Sequence, residues 1–157
     1  MTKQTVIREF GSFSVSGAEL FDLTSMEVRR CTGCWSCWMI TPGKCVFKDL
    51  DSFYHAYVTS DNITFFLKPE KGFVSVGFKK LIDRMCPLFL PYCEFAHGGS
   101  WHTKRYERYP DVTVYYEDNF SSDEECSVFC DYVRWVFVQF HSDKVIVKPI
   151  SEFTEVK

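Results

Sequence analysis

The sequence lacks the features that mark several common classes of protein. Its 18 basic side chains are outnumbered by 21 acidic ones, so the basic surface that usually accompanies nucleic-acid binding is not expected. No apolar run approaches the roughly 18 residues that span a bilayer, and residues 1–4 contain no apolar signal core. Eight glycines and six prolines are too few for a collagen-like or low-complexity chain. We therefore expect a single cytoplasmic domain over residues 1–157 that binds neither nucleic acid nor membranes.

Cysteine, in contrast, is concentrated in one place. The chain has eight cysteines, which in a reducing compartment are expected to be thiols, metal ligands or redox groups. Half of them lie within 15 residues at the spacing C-x2-C-x2-C-x7-C, namely Cys31, Cys34, Cys37 and Cys45. Four thiolates at these spacings suit a 4Fe–4S cluster, and the same four suit a tetrahedral zinc ion. Free thiols without a metal are the third interpretation.

The order of the hydrophobic patterns indicates an α/β fold. From about residue 50 onwards, helical patterns alternate with apolar strand patterns. The strand patterns lie at residues 62–67, 112–116 and 144–148. Such alternation predicts a mostly parallel sheet with helices on both faces, which is a three-layer sandwich.

Two segments do not follow this alternation. Residues 1–27 form an atypical N-terminal segment, in which residues 5–10 fit either a strand or the end of a helix and residues 19–23 fit a short strand. Residues 86–110 are predicted to form a long irregular loop rich in aromatic side chains. Loops of that length are often functional or pack against a partner.

Four short motifs follow one another between about residues 28 and 150. They are CTGCWSCW and TPGKC within residues 31–45, Ser60 and Asp61 before an apolar strand, residues 72–75 leading to LIDR at 81–84, and WHTKRY at 101–106 with Tyr109 and Pro110. In this order they resemble the flavodoxin-like NADPH-dependent FMN reductases and iron–sulfur flavoproteins. The resemblance implies FMN held at the carboxyl ends of the strands, NAD(P)H as electron donor, and a small molecule or protein as acceptor.

The N-terminus departs from the pattern of that family. Family members open with a buried strand and a Gly/Ser-rich loop that grips the FMN phosphate, and residues 11–14 are the nearest equivalent here. The apparent second strand begins at residue 19, too early for a strand, a loop and a full helix to precede it. We therefore predict that the first strand and the phosphate loop are missing or rebuilt. A homodimer or a substitute strand would then cover the exposed edge of the sheet.

The resemblance also implies which residues surround the flavin. The candidate cofactor-binding residues are Pro69, Glu70, Gly72, Phe73 and Ser75 in the turn after the strand at 62–67, with Trp35 and Arg105. An arginine fork suits a phosphate, and His102 is the candidate proton donor because imidazole titrates near neutral pH. For His102 and Arg105 the alternative is a surface or subunit-contact loop.

Two functions follow from these features. The first is an FMN-dependent NAD(P)H oxidoreductase with a shallow cleft between Gly72 and the cysteine-rich loop. The second is a flavin-free relative that acts as a binding or scaffold module, or as a cysteine-based metal or redox sensor.

Overall fold

A computed structural model describes residues 2–96 and 98–154. The predicted single domain also includes Met1, His97 and residues 155–157, which lie outside the described residues. The strands are β1 (Gln4–Arg8), β2 (Glu19–Asp22), β3 (Asn62–Leu67), β4 (Phe89–Ala96), β5 (Gly99–Lys104), β6 (Asp111–Tyr116) and β7 (Val145–Pro149). The α-helices are α1 (Ser36–Met39), α2 (Asp51–Thr59), α3 (Val76–Asp83) and α4 (Asp123–Gln139). Short 3₁₀ turns lie at Cys86–Leu88 and Ile150–Glu152.

Strand β1 is an interior strand of the main sheet, paired with β2 on one side and β3 on the other. Over the described residues, this sheet is parallel throughout and has the order β2-β1-β3-β6-β7. Counting only its own strands, the order is 2-1-3-4-5, that of flavodoxin-like folds. We predicted that the first strand is missing or rebuilt, and of these two alternatives the missing strand is wrong, because β1 is present. Val6 and Ile7 are buried between two neighbouring strands, but so short an apolar run does not distinguish a strand from a helix end without those partners.

The helices α2, α3 and α4 pack on one face of this sheet. Ile7 pairs in register with Phe21 on one side and with Phe65 on the other, so these side chains share a face. The aromatic contacts to the helices, measured between ring centroids, are Phe21–Phe53 at 5.7 Å, Phe65–Phe78 at 5.8 Å and Phe65–Phe137 at 4.7 Å. This interface is the main hydrophobic core.

The opposite face of the sheet is covered by aromatic side chains from segments that are neither helix nor strand. Phe13, in the segment between β1 and β2, stacks on Phe66 at 4.9 Å, and Phe153 packs edge-on against Phe66 and Tyr115. The predicted α/β class is correct, but in the described chain this third layer contains no α-helix. Only residues 9–18 separate β1 from β2, too few for a helix with its two connections.

The segment predicted as a long loop is partly regular. After the turn at Cys86–Leu88, β4 and β5 pair as an antiparallel hairpin whose register shifts between Phe89 and Cys93. Several aromatic side chains of this segment therefore belong to strands, namely Phe89, Tyr92, Phe95 and Trp101. Among the described residues, no helix is both long and apolar enough to cross a membrane.

We expect Phe13→Ala to lower the free energy of unfolding by about 2 kcal/mol, because it removes the ring that covers Phe66. Urea unfolding measures the change. The matched control is Phe95→Ala, whose ring is 83% exposed and whose loss should cost less than about 0.5 kcal/mol. Equal effects of the two substitutions would show that the Phe13 ring does not stabilise this face of the sheet.

Candidate functional site

A cavity of about 240 Å³ lies between the cysteine-rich segment and the C-terminal end of α3. We call residues 31–45 the cysteine loop. The thiols that line the cavity are Cys31, Cys34, Cys37, Cys45 and, from the turn after α3, Cys86. The indoles of Trp35 and Trp38 and the ring of Phe47 make its wall largely apolar. The cavity therefore brings together thiols from two separate segments of the chain.

One buried arginine holds both ends of this segment. Arg84, the C-cap of α3, is only 2% exposed. Its Nη2 lies 2.7 Å from Oδ1 of Asp49, and its Nη1 donates to the Arg29 carbonyl at 2.9 Å. The guanidinium also stands 5.2 Å from the ring centroid of Phe47. Since Arg29 precedes the cysteine loop and Asp49 follows it, a single side chain closes the loop at its base.

Hydrogen bonding within this pair favours the charged forms of both groups. Burial opposes ionisation of Asp49, but bonds from Arg84 and from the Arg29 backbone N–H outweigh it and lower the pKa of Asp49. Burial likewise opposes the charge on Arg84, and the bond to Asp49 reverses that effect, so the pKa of Arg84 is raised. The N-cap of α2 is Leu50, which makes no side-chain capping bond, and the preceding residue, Asp49, closes the loop.

Trp38 fastens the cysteine loop to the start of the hairpin. Its Nε1 donates to the carbonyls of Cys86 at 3.0 Å and Phe89 at 3.1 Å. His102 stacks on Phe89 and lies 5.2 Å from Trp38, measured between ring centroids. Arg105 donates to the Phe89 carbonyl at 3.3 Å. The structure therefore places the predicted site residues His102 and Arg105 beside the cysteine loop.

The thiols in this cavity have different electrostatic environments. Hydrogen bonds from the Ser36 hydroxyl and backbone N–H lower the pKa of Cys34, which is exposed. Burial, together with the neighbouring cysteines, raises the pKa of Cys37. Burial also raises the pKa of Cys86, to about 12. Of these three thiols, Cys34 is the one whose pKa is shifted toward the thiolate, which is the nucleophilic form of cysteine.

The geometry does not support the predicted metal site. Within residues 2–96 and 98–154, no group of three or more His, Cys, Asp or Glu side chains is placed so that it could hold a metal ion. Cys31 and Cys34 are exposed, whereas Cys45 is buried in the hydrophobic core. Because their side chains do not converge, neither the 4Fe–4S nor the zinc interpretation of Cys31, Cys34, Cys37 and Cys45 is carried further.

The turn predicted to contact a flavin is a tight reverse turn. Glu70 and Phe73 exchange two backbone hydrogen bonds, of 2.8 and 3.1 Å. Between them Lys71 and Gly72 both have positive φ, at 52° and 73°, as a type I′ turn requires. A Cβ on Gly72 would also lie 2.9 Å from the carboxyl carbon of Glu125. The glycine is therefore explained by the turn and its close neighbour.

The remaining residues of this turn also make contacts within the protein. The Pro69 carbonyl accepts a bond from Asn119 Nδ2 at 3.2 Å, and the Phe73 ring packs on Tyr132 at 4.5 Å. Ser75 is the N-cap of α3, where its hydroxyl accepts from the Phe78 N–H at 3.0 Å. These contacts show what positions each side chain, and their roles toward a cofactor stay predictions.

Among the described residues, Gly72 and the cysteine loop do not share the expected cleft. The turn at residues 69–75 lies at the N-terminal end of α3, whereas the cysteine loop packs against Arg84 and Cys86 at its C-terminal end. An eight-residue helix rises about 12 Å, so α3 separates the two groups. We predicted a shared site because the family resemblance implies that both segments lie at the carboxyl ends of the strands. The motifs do not show that residues 23–50 place the cysteine loop at the other end of α3.

The residues at the carboxyl edge of the sheet do not fit the FMN phosphate. Phosphates are held by backbone N–H groups at a helix N-terminus, and in the described chain β1 leads into residues 9–18, which contain no helix. The side chains that meet there include Glu9, Glu70 and Glu125. The nearby Lys68 is paired with Glu117 at 3.9 Å. The predicted loss of the phosphate loop thus agrees with this geometry.

Sequence reasoning missed three residues of the site. Arg84, Cys86 and Glu9 were not among the candidate site residues. A charged residue at the end of a helix gives no signal of burial by itself. Only the contacts made by the loop reveal the position of Arg84.

Comparisons with known proteins show what this chain is similar to. No protein-family model matches it. No curated protein matches it either. Among solved structures, it resembles the azoreductase from Bacillus anthracis str. Sterne, with 12% identity, a TM-score of 0.61 and coverage of 96% of this chain and 86% of that one.

Two further solved structures are similar to the same extent. Smu.1420 from Streptococcus mutans UA159 shares 10% identity with a TM-score of 0.65, covering 96% of this chain and 89% of that one. The azoreductase AzrA shares 10% identity with a TM-score of 0.63, covering 97% and 89%. At these identities the likeness establishes the fold alone, and it confirms the predicted flavodoxin-like α/β class.

We expect Arg84→Met to lower the free energy of unfolding by about 2–4 kcal/mol, because it leaves Asp49 and two carbonyls without their donor. Chemical denaturation measures this change. Arg134→Met is the matched control, since it breaks an exposed pair with Asp131 that is worth less than about 1 kcal/mol. A similar loss in the two variants would contradict the anchoring role of Arg84.

A second prediction concerns how the stability contributed by Asp49 depends on pH. Because the folded state lowers the pKa of Asp49, its contribution is fully present above the unfolded value of about 3.9 and is lost as pH falls through the folded value. The stability difference between the wild type and Asp49→Asn should therefore shrink below about pH 4. Urea unfolding from neutral to acidic pH measures it. A difference that stays constant or grows on acidification would contradict the pairing.

Proposed function

We propose that this protein is a dithiol redox protein in which Cys34 attacks a disulfide substrate and Cys37 completes the exchange. The observation that carries this proposal is that two thiols three residues apart, one exposed and one half-buried, line the same apolar cavity. Cys34 is exposed with a lowered pKa, and Cys37, three residues later, is half-buried with a raised pKa. Paired cysteines at this spacing are the usual arrangement for thiol–disulfide exchange.

The exchange proceeds in two balanced steps. The Cys34 thiolate attacks one sulfur of the substrate disulfide, whose S–S bond breaks as a mixed disulfide forms and one substrate thiol leaves. Cys37, losing its proton, then attacks the Cys34 sulfur, which forms the Cys34–Cys37 disulfide and releases the second substrate thiol. The substrate gains two electrons and two protons, which the dithiol supplies. A low-molecular-weight thiol reduces the protein again.

The surroundings of the two thiols suit this chemistry. Ser36, in the first turn of α1, lowers the pKa of Cys34, which shifts this thiol toward its nucleophilic form. The indole of Trp35 is 61% exposed beside Cys34 and offers an apolar surface to a substrate. Arg84 fixes the base of the loop that carries both thiols.

We expect Cys34 to be the thiol alkylated fastest by iodoacetamide, as followed by mass spectrometry. Treatment with glutathione disulfide should then produce the Cys34–Cys37 disulfide. In Cys37→Ser the resolving thiol is absent, so the mixed disulfide between Cys34 and glutathione should accumulate several-fold over the wild type. In Cys34→Ser neither product should form.

The matched control is Cys93→Ser, which removes an exposed thiol of the hairpin. It should leave both the alkylation of Cys34 and the formation of the disulfide unchanged. The proposal fails if Cys93 or Cys31 reacts faster than Cys34, or if Cys34→Ser forms the same amount of intramolecular disulfide.

The second candidate is an FMN-dependent NAD(P)H oxidoreductase that works as a homodimer. It is supported by the fold that the chain shares with the solved azoreductases and by the family resemblance of its motifs. The acidic carboxyl edge and the missing helix after β1 count against it. Titration of the protein with FMN, followed by flavin fluorescence and NADPH oxidation, separates the candidates, because the flavin activity would persist in Cys34→Ser.

A further inference from the structure

Glu9 lies at the switch point of the sheet, where the strand order reverses. The residue directly follows β1, and the chain leaves β1 toward β2 on one side while β3 lies on the other. In open parallel sheets, ligands bind in the crevice at this switch point, outside the carboxyl ends of the strands. The side chain of Glu9 crosses that crevice from β1 to the end of β3.

The Glu9 carboxylate accepts three hydrogen bonds there. Its Oε2 accepts from the Lys68 backbone N–H at 3.1 Å, directly after β3. Its Oε1 accepts from the Phe78 N–H at 3.0 Å and from the Ser75 hydroxyl, both at the N-terminus of α3. These donors and the positive end of a helix dipole are the groups that would meet an anionic ligand.

The local sequence accommodates this side chain closely. A Cβ on Gly77 would lie 3.3 Å from Glu9 Oε1, so a glycine at this position lets the carboxylate reach the helix. The neighbouring space of about 180 Å³ is lined by Glu9, Glu70 and Ser75, among others. Burial raises the pKa of Glu9, and the three donors oppose that effect.

We infer that Glu9 takes the place of a bound anion at the switch point, so that this crevice is closed by the protein itself and does not accept the phosphate of FMN or another phosphorylated cofactor. The donors that would recognise the ligand are satisfied by an internal carboxylate. This inference goes beyond the dithiol proposal, and its failure would leave the chemistry of Cys34 untouched.

The test is chemical rescue by a small carboxylate. In Glu9→Ala the Ser75 hydroxyl and the Lys68 N–H lose their acceptor, and the Phe78 N–H keeps only the Ser75 hydroxyl, so the melting temperature should fall. Sodium formate should then raise the melting temperature of Glu9→Ala saturably, by on the order of a few degrees, because formate binds only the folded state. The wild type should show no such rise, and sodium chloride at equal ionic strength should not rescue the variant.

Glu70→Ala is the matched control, since it removes a neighbouring carboxylate from the same edge and should show no formate effect. If Glu9→Ala does not fold, Glu9→Gln keeps the shape, and it should melt below the wild type. Titration of the wild type with FMN should leave the flavin fluorescence unchanged. Saturable binding of FMN to the wild type, or a Glu9→Ala variant that melts like the wild type and ignores formate, would overturn the inference.

Discussion

The Arg84–Asp49 pair is the constraint on which the candidate site depends. Residues 23–50 contain only one helical turn, α1, so this excursion cannot hold its shape through regular structure. Buried Arg84 fixes this segment instead, by binding Asp49 and the Arg29 carbonyl. A buried charge is costly unless it is paired, so the contact specifies one arrangement of the loop. The positions of the cavity thiols follow from it.

The molecule has two parts with different roles: the packed sheet is a stable frame, and the cysteine loop is the reactive segment. Helices pack on one face of the sheet and the rings of Phe13 and Phe153 cover the other. At the carboxyl edge, where this fold usually receives a ligand, Glu9 meets the available donors. At the far end of α3, Trp38 and Arg84 hold thiols beside an open apolar cavity. The chemistry we propose therefore lies away from the customary ligand site of the fold.

Much of the frame was predictable because it depends on local patterns. The apolar runs at β3, β6 and β7 were recognised, and their alternation with helical patterns gave the correct fold class. The first strand was predicted only as one of two alternatives, since five residues such as Gln4–Arg8 carry too little pattern without neighbours. The hairpin of β4 and β5 was missed because its register shift interrupts the alternation of side chains.

By itself, the sequence determined the composition of the site, the C-x2-C-x2-C spacing and the class of fold, because these depend on residue type and on short-range order. Only the tertiary structure decided that Gly72 and the cysteine loop lie at opposite ends of α3, that Arg84 is buried, and that Glu9 reaches the helix N-terminus. Those contacts join residues 35 to 69 positions apart along the chain. Local propensity carries no information about such pairs, since they form only when the whole sheet and its loops have packed.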